Sequence, residues 1–151
     1  MGWLKQIPRI FGIQSTGSAA IANAFESGTE VINAVTADTL ADSISVDLPR
    51  DGLRALRAAT YTDGAYLKVS DQAILKAIAR LGKEGIFAEP AASTAFAGVK
   101  KAIQSGKIKH DDPVLVMSTG SGLKDIKAAQ EAVNAAPIIE PSLKSLQEVM
   151  K

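Results

Sequence analysis

The sequence predicts an α/β fold, with a partial three-layer sheet of three to four mostly parallel strands and helices on both faces. Short apolar runs of strand length alternate with longer segments of helical periodicity, which is typical of parallel strands joined by helices. The chain has 151 residues, 46% of them apolar, which is enough for one hydrophobic core. An incomplete sheet is expected, because the outer strands of so narrow a sheet need a partner or a cover.

The first strand and helix are predicted near the start of the chain. Residues 10–14 form an apolar run after Pro8, which indicates a strand. The polar cluster of residues 15–18 is typical of a helix cap, and the Ala-rich stretch behind it predicts a helix that ends at Phe25. Together they predict one strand-to-helix unit.

Two helices are predicted in the polar region that follows. Residues 38–46 indicate a short helix, and Pro49 suits the first turn of a second helix. The second helix carries apolar side chains at helical spacing: Leu53, Leu56 and Ala59. Both helices are expected to lie on the sheet.

A second strand-to-helix unit has the clearest pattern in the sequence. Residues 65–69 predict a strand that runs into Ser70 and Asp71, which are favourable N-cap residues. The following helix is expected to end near Gly82 or Gly85, since glycine suits the end of a helix. Its apolar face consists of Ile74, Leu75, Ile78 and Leu81.

The rest of the chain is predicted to hold one further strand and three helices. Pro90 is compatible with the first turn of a helix over residues 91–105. Residues 114–117 are the most strongly predicted strand, and another helix begins near Leu123. A terminal amphipathic helix carries Leu143, Leu146 and Val149.

The composition excludes several classes of function. The 17 basic side chains nearly balance the 16 acidic ones, so no nucleic acid and no anionic membrane is expected as a partner. The lack of cysteine and the single histidine, His110, exclude the usual zinc sites and argue against a Ser-His-Asp triad. No apolar run reaches the about 20 residues of a membrane-spanning helix, and residues 1–9 lack the apolar core of a signal peptide. A cytoplasmic location is therefore expected.

The most informative stretch is residues 114–125, where the predicted strand runs through Ser, Thr and Gly into a helix. Free backbone N–H groups and the dipole at such a helix start favour an electron-rich atom. The alternative is that Thr119 only caps the helix and that the glycines only permit the turn. The Lys and hydroxyl order of a P-loop is absent, and so is the third glycine of a Rossmann fingerprint.

Four blocks of the sequence resemble threonine synthases and follow the order of that family. Residues 118–125, Ser-Thr-Gly-Ser-Gly-Leu-Lys-Asp, resemble the family's closing signature. Residues 85–93 are similar to its GIFAEPASA block, and residues 39–44 are similar to its TIADSI block. The opening block, residues 2–14, also resembles the family, so the resemblance covers residues 2–125.

The resemblance implies a fold-type II enzyme that uses pyridoxal phosphate to convert O-phosphohomoserine and water into threonine and phosphate. Residues 1–136 would then be the C-terminal portion of the large cofactor-binding domain, and residues 137–151 a terminal amphipathic helix. A small-molecule substrate is implied, and the complete enzyme is expected to be a homo-oligomer. A related fold-type II lyase such as threonine dehydratase is the near alternative, although the Gly-Leu-Lys-Asp ending fits threonine synthase better.

The resemblance assigns cofactor-binding roles within the closing signature. Thr119 would place its hydroxyl against the pyridine nitrogen, with Ser118 and Gly120 beside it. A neutral hydroxyl cannot stabilise a protonated ring nitrogen as a carboxylate would, so it tempers the electron sink. Gly120 and Gly122 would let the backbone turn close to the ring, because glycine has no β-carbon.

Two other blocks contribute further cofactor-binding candidates. Ala41, Asp42 and Ser43 would lie against one face of the ring, where small residues let a flat cofactor approach the backbone. Asp42 could equally be a solvated helix charge. Glu89 would border the cofactor site without transferring a proton, or would only be a favourable charge at a helix N-terminus. No catalytic residue and no metal ligand is assigned.

The resemblance also identifies what these 151 residues do not contain. The family's Schiff-base lysine lies in a Ser-x-Lys-Asp-Arg type motif, and its phosphate loop is rich in Gly and Asn; neither pattern occurs here. We therefore expect an inactive isolated chain that is a fragment, the product of a misassigned gene start or one piece of a split enzyme. The expected partner is the missing N-terminal half or a second chain. The alternative is a non-catalytic α/β module that pairs through its open sheet edge.

Overall fold

The computed structural model describes residues 5–150, which form an α/β arrangement around a small parallel sheet. Strand β1 (Phe11–Ser15) pairs in parallel with strand β2 (Ala65–Val69) along their whole length. The helices, in chain order, are α1 (Ala20–Glu26), α2 (Gly52–Tyr61), α3 (Asp71–Lys83), α4 (Pro90–Gln104), α5 (Ile126–Glu131) and α6 (Leu143–Val149). Short 3₁₀ turns lie at Asp42–Ile44 and Gly122–Lys124.

Strand β2 and helix α3 confirm the clearest prediction from the sequence. The Ser70 hydroxyl accepts the Ala73 N–H at 3.2 Å, which is the hydrogen bond of an N-cap. The helix ends before Gly85, whose φ of +76° is the left-handed conformation that favours glycine. These signals are local, so they fix the element without help from the rest of the fold.

Helices cover both faces of the two strands. Tyr66 and Val69 of β2 lie on opposite faces, because side chains alternate along a strand. The buried cluster on the Tyr66 face consists of Ala19, Ile21, Ala22, Ala24, Leu56, Ala59 and Tyr66. The buried cluster on the Val69 face consists of Ala41, Val69, Ile74, Leu75, Ala77, Ile78, Ala97 and Ala128. The predicted α/β layering is confirmed, and the sheet in the described residues has two strands where three to four were expected.

Two glycines bring neighbouring layers close together. Gly98 of α4 lies against Ile13 of β1, where a β-carbon would overlap the isoleucine side chain. Gly12 of β1 lies against the ring of Tyr66 on the other face, and a β-carbon there would overlap that ring. These overlaps show that the strands are closely packed on both faces. Burial in this packing raises the pKa of the Tyr66 hydroxyl.

Residues 114–117, the most strongly predicted strand, do not form a strand in the described structure. Their apolar side chains lie largely outside the core, with Leu115 91% exposed and Met117 74% exposed. A strand requires a neighbour that supplies backbone hydrogen bonds, and in the described residues no backbone hydrogen bond joins residues 114–117 to β1 or β2. The prediction of this strand is wrong for the described chain, in which residues 114–117 lie at the surface.

The helix predicted over residues 38–46 is wrong in length, since only the 3₁₀ turn Asp42–Ile44 forms. The buried Ser18 explains the difference. Its hydroxyl lies 3.1 Å from the Ile44 carbonyl oxygen and 3.0 Å from that of Val46, and it accepts the Val46 N–H. These contacts compete with helical hydrogen bonds. Ser18 therefore holds a loop, and α1 begins without the side-chain cap that was predicted for it.

The later helices agree with the sequence. Helix α4 lies within one residue of its predicted bounds, and α6 covers only Leu143–Val149 of residues 137–151, which were predicted as the terminal helix. The side chains of α6 stay outside the core, with Leu143 77% exposed. The division of the chain after residue 136 stays a prediction, and residues 2–4 of the opening block lie outside the described residues. Within residues 5–150, no helix is long and apolar enough to cross a membrane.

Candidate functional site

Two of the family-like segments meet through backbone hydrogen bonds. The N–H of Glu89 donates to the carbonyl of Gly120 at 3.0 Å, and the N–H of Gly122 donates to the carbonyl of Phe87 at 3.0 Å. This reciprocal pair forms an antiparallel bridge that joins the start of α4 to the closing signature. The sequence predicted both segments as parts of a site, but it did not predict their direct contact.

The two glycines of the closing signature have no room for a side chain. A β-carbon at Gly120 would overlap the carboxylate of Glu89, and one at Gly122 would overlap the ring of Phe87. Both glycines are buried. A larger residue at Gly120 would have to displace the buried Glu89 carboxylate, whereas one at Gly122 would displace the Phe87 ring, which is 46% exposed and freer to move.

Glu89 is buried at the N-cap of α4, with 6% of its surface exposed. Its side chain makes no capping hydrogen bond, so helix capping does not account for its burial. Its carboxylate lies 3.8 Å from the Nζ atom of Lys124, whose side chain is 66% exposed. Lys124 and the helix N-terminus both offset the cost of burying this carboxylate. The position of Glu89 is compatible with both predicted roles, a residue that borders the cofactor site and a charge at a helix N-terminus.

Ser118 and Thr119 are exposed and immediately precede the buried Gly120. Neither of them caps the helices that follow. The Ser121 hydroxyl caps the 3₁₀ turn, and the Asp125 carboxylate caps α5. The alternative in which Thr119 is a simple helix cap is therefore wrong, and its hydroxyl is open to a ligand or a neighbouring chain.

The segment Ala41, Asp42 and Ser43 has one buried and two exposed members. Ala41 has 0% exposure and packs in the cluster on the Val69 face of β2, whereas Asp42 and Ser43 are exposed. Asp42 begins the 3₁₀ turn. Its position is compatible with both predicted alternatives, a contact with the cofactor and a solvated charge.

Asp71 organises this segment, and the sequence analysis did not assign it to the site. Its carboxylate accepts hydrogen bonds from the Ser15 hydroxyl at 2.9 Å, the Thr39 hydroxyl at 2.5 Å and the Leu40 N–H at 2.9 Å. Burial, the largest single influence, raises the pKa of this carboxyl, but the three hydrogen bonds together outweigh it and hold the pKa below its ordinary value. Its one signal in the sequence, an acidic residue two positions after a predicted strand, also fits helix capping.

The structure brings some of the predicted residues together and leaves others apart. Glu89 and Gly120 are in direct contact, but within residues 5–150 no hydrogen bond or ion pair joins either of them to residues 41–43. Helix α4 is their shared support, since it starts beside Glu89 and also contacts the 3₁₀ turn of that segment. His110 is exposed, and the described part of the chain contains no group of acidic or histidine side chains that could hold a metal.

Comparison with known proteins identifies the same family as the motifs. The family profile described as "Pyridoxal-phosphate dependent enzyme" matches residues 2–120. The threonine synthase of Methanocaldococcus jannaschii is 35% identical over 99% of this chain and 38% of its own length. Those of Halalkalibacterium halodurans and Bacillus sp. strain ULM1 are 35% and 40% identical, over 90% and 78% of this chain and 37% and 32% of their own lengths. The resemblance to threonine synthases is confirmed, and the chain spans less than two fifths of these relatives.

Among solved structures, the processed form of threonine deaminase isoform 2 from Solanum lycopersicum has a similar fold. The TM-score is 0.64 over 84% of this chain and 37% of that chain, at 21% sequence identity. At this identity the likeness concerns the fold alone, and it agrees with the predicted α/β class. The family profile covers most of the sequence and includes the contact between Glu89 and Gly120. The chain therefore belongs to the family of pyridoxal-phosphate-dependent enzymes.

Proposed function

We propose that this chain is the part of a threonine synthase that supplies one side of the pyridoxal-phosphate site. The complete enzyme would convert O-phosphohomoserine and water into threonine and phosphate. The observation that carries the proposal is the contact between the closing signature and the start of α4, where Glu89 lies against Gly120 beside the exposed Thr119. The curated relatives support the choice of reaction, since each of the three described above is a threonine synthase.

The residues present fit part of a site for this cofactor. Thr119 offers an exposed neutral hydroxyl that suits a pyridine nitrogen, and the adjoining Gly120 is fixed by the N–H of Glu89. Ser118 and Ser43 offer further exposed hydroxyls. The lysine and the phosphate loop of the site would come from the rest of the enzyme, since neither family motif occurs in the sequence.

Each residue would have a limited and distinct role. When bound, pyridoxal phosphate supplies the electron sink for the reaction. Thr119 would hold the ring nitrogen by a hydrogen bond without adding a charge, so that protonation of the ring is not favoured as it is beside a carboxylate. Glu89 would keep Gly120, and through it Thr119, in place by its backbone N–H and by side-chain contact. We assign it no proton transfer.

The partner we propose is the part of the enzyme that this chain does not match in its relatives. Three apolar side chains in the exposed segment 114–117 would be covered in a completed sheet: Val114 is 47% exposed, Leu115 91% and Met117 74%. Burial of apolar surface contributes roughly 25 cal/mol per Å², so a strand paired here would stabilise an assembly in cis or in trans. We propose a cytoplasmic homo-oligomer as the assembled enzyme.

A non-catalytic assembly module is the alternative from a different class. The exposed segment 114–117 favours it as well, because an exposed apolar segment can pair as an added strand with any chain that offers a sheet edge. The two functions differ in what the assembled complex does to a substrate, and that difference can be measured.

Reconstitution tests the proposal. The purified chain would be mixed with a polypeptide that covers the remainder of the Methanocaldococcus jannaschii threonine synthase, with pyridoxal phosphate added. We expect phosphate release from O-phosphohomoserine by the mixture and by neither part alone. A complex that releases no phosphate would favour the assembly module, and 2-oxobutanoate formed from threonine would favour a dehydratase. Failure of the two parts to associate would contradict the proposed partner.

A further inference from the structure

The carboxylate of Asp71 ties together segments that are distant in the sequence. Its Oδ1 atom accepts the hydroxyl groups of Ser15 and Thr39, and its Oδ2 atom accepts the N–H of Leu40. Ser15 ends β1, Asp71 follows closely after the end of β2, and Ser15 is completely buried at 0% exposure. The cluster therefore lies where both parallel strands end, which is the edge at which open α/β sheets bind ligands.

Helix α3 does not need this carboxylate for its own capping. Ser70 is the N-cap, and its hydroxyl accepts the Ala73 N–H. The hydrogen bonds of Asp71 instead go to partners outside the helix. Asp71 lies in the first turn of α3, where the helix dipole favours an acidic side chain, but neither the dipole nor capping accounts for its three partners outside the helix.

Further contacts join residues 15–17 to residues 38–41, the two segments that Asp71 binds. The Ser15 hydroxyl also accepts the N–H of Gly17, whose carbonyl accepts the N–H of Asp38 at 2.9 Å. A β-carbon at Gly17 would overlap the Asp38 carbonyl group. The Thr39 hydroxyl also accepts the N–H of Ala41 at 3.3 Å. Asp71 thus fixes the backbone that leads directly into residues 41–43.

We propose that Asp71 is a positioning residue, which holds residues 41–43 at the carboxyl edge of the sheet in the geometry that receives the cofactor. This inference rests on the proposed function. The lowered pKa of Asp71 supports it, because the carboxylate stays ionised, and therefore a pure acceptor, at neutral pH.

An asparagine at this position cannot reproduce the arrangement. Its amide has one acceptor oxygen, and keeping the bond to the Leu40 N–H would point the NH₂ group at the hydroxyls of Ser15 and Thr39. The buried Ser15 hydroxyl would then lose the acceptor of its own proton, since an NH₂ group can only donate. The substitution Asp71→Asn should therefore loosen residues 39–43 while leaving the volume of the side chain nearly unchanged.

The first experiment uses the purified chain alone. Amide hydrogen exchange of Leu40 and Ala41 would be compared in the unaltered chain and in the variants Asp71→Asn and Asp47→Asn. Asp47→Asn is a matched control, since it removes the same charge from the same loop. The Asp47 carboxylate accepts the Ala37 N–H at 2.8 Å. We expect Asp71→Asn alone to speed exchange at Leu40 by about tenfold, the equivalent of one charge-assisted hydrogen bond. Equal exchange rates at Leu40 in both variants would overturn the proposal that Asp71 positions this segment.

The second experiment measures pyridoxal phosphate affinity in the reconstituted complex. We expect Asp71→Asn to raise the Kd for pyridoxal phosphate by about tenfold, with the association of the two parts unchanged. If the unaltered complex binds the cofactor and Asp71→Asn binds it equally well, the positioning role is overturned and the proposed function stands. If the unaltered complex binds no cofactor, the proposed function fails and the positioning role fails with it.

The pair Thr39→Val and Thr39→Ser tests the same contact if Asp71→Asn fails to fold. Valine matches threonine in shape but removes the donor to Asp71, whereas serine keeps the hydroxyl. We expect the valine variant to weaken cofactor binding and the serine variant to retain it. If both variants lose cofactor affinity equally, or if neither loses it, the hydrogen bond from Thr39 to Asp71 does not have the proposed role.

Discussion

The carboxylate of Glu89 occupies the space that a β-carbon of Gly120 would fill. The backbone N–H of Glu89 donates to the Gly120 carbonyl in the same contact, so the two residues are held by both main chain and side chain. This relationship joins the start of α4 to the segment that carries Thr119. A substitution at the glycine therefore tests the contact without altering a hydroxyl or a charge.

Replacing Gly120 by alanine should destabilise the chain. The new methyl group would displace the buried Glu89 carboxylate, and overpacking of this kind costs about 1–3 kcal/mol. Gly82 is the matched control, since a β-carbon there would meet no atom within 4 Å, and Gly82→Ala should be neutral or stabilising by up to about 1 kcal/mol. Urea denaturation measures both, and equal midpoints for the two variants would contradict the contact.

The ion pair between Glu89 and Lys124 should contribute little to stability. Lys124 is mostly exposed and its Nζ atom lies 3.8 Å from the carboxylate, so Lys124→Gln should cost about 1 kcal/mol or less. The cost should fall further in high salt, which screens exposed charges. Lys127→Gln, which alters another exposed lysine, is the control for the loss of charge. A cost of several kcal/mol that salt does not change would mean that the pair is shielded from solvent.

Asp71 should make the stability of the chain depend on pH in the acidic range. Because its folded pKa is lowered from 3.8, its contribution is complete well above that value and is lost as pH falls below it, through the lower folded pKa. The stability difference between the unaltered chain and Asp71→Asn should therefore shrink below about pH 4. The hydrogen bond from Arg57 also lowers the pKa of Glu30, but both chains carry that pair, so it cancels. Urea denaturation at neutral and acidic pH measures the difference, and a difference that stays constant would contradict the lowered pKa of Asp71.

The exposed segment 114–117 should matter for assembly and not for the chain alone. Leu115→Ser should change the free energy of unfolding by no more than about 0.5 kcal/mol, because the side chain is already 91% exposed. It should nevertheless weaken association with the remainder of a threonine synthase. Tyr61→Ser is the control, since Tyr61 is 76% exposed on α2. Calorimetric titration would show the difference, and equal affinities for both variants would contradict the proposed interface.

The sequence predicts elements whose signals are local. Strand β2 and helix α3 form as predicted, because an apolar run, the Ser70 cap and the terminal Gly85 lie within one short stretch. Residues 114–117 show the limit of this approach. Their apolar pattern indicates a buried strand, but burial depends on a neighbour that the pattern does not contain, and the described structure leaves them exposed.

The candidate site shows the same division. The motifs identified the segments of Glu89, Gly120 and Thr119, since each segment has a distinctive order of residues. The contact between Glu89 and Gly120 and the three hydrogen bonds of Asp71 were not predicted. They join residues far apart in the chain, and a single sequence carries no signal for such pairings.

The absorbance of pyridoxal phosphate in the reconstituted complex would show whether Thr119 contacts the cofactor ring. Thr119 is exposed in the chain, so its variants should fold as the unaltered chain does. If its hydroxyl holds the ring nitrogen, Thr119→Ser should keep the spectrum of the bound cofactor, and Thr119→Val should shift the spectrum and weaken binding. An unchanged spectrum and affinity in Thr119→Val would contradict the claim that this chain forms the ring-nitrogen side of the site.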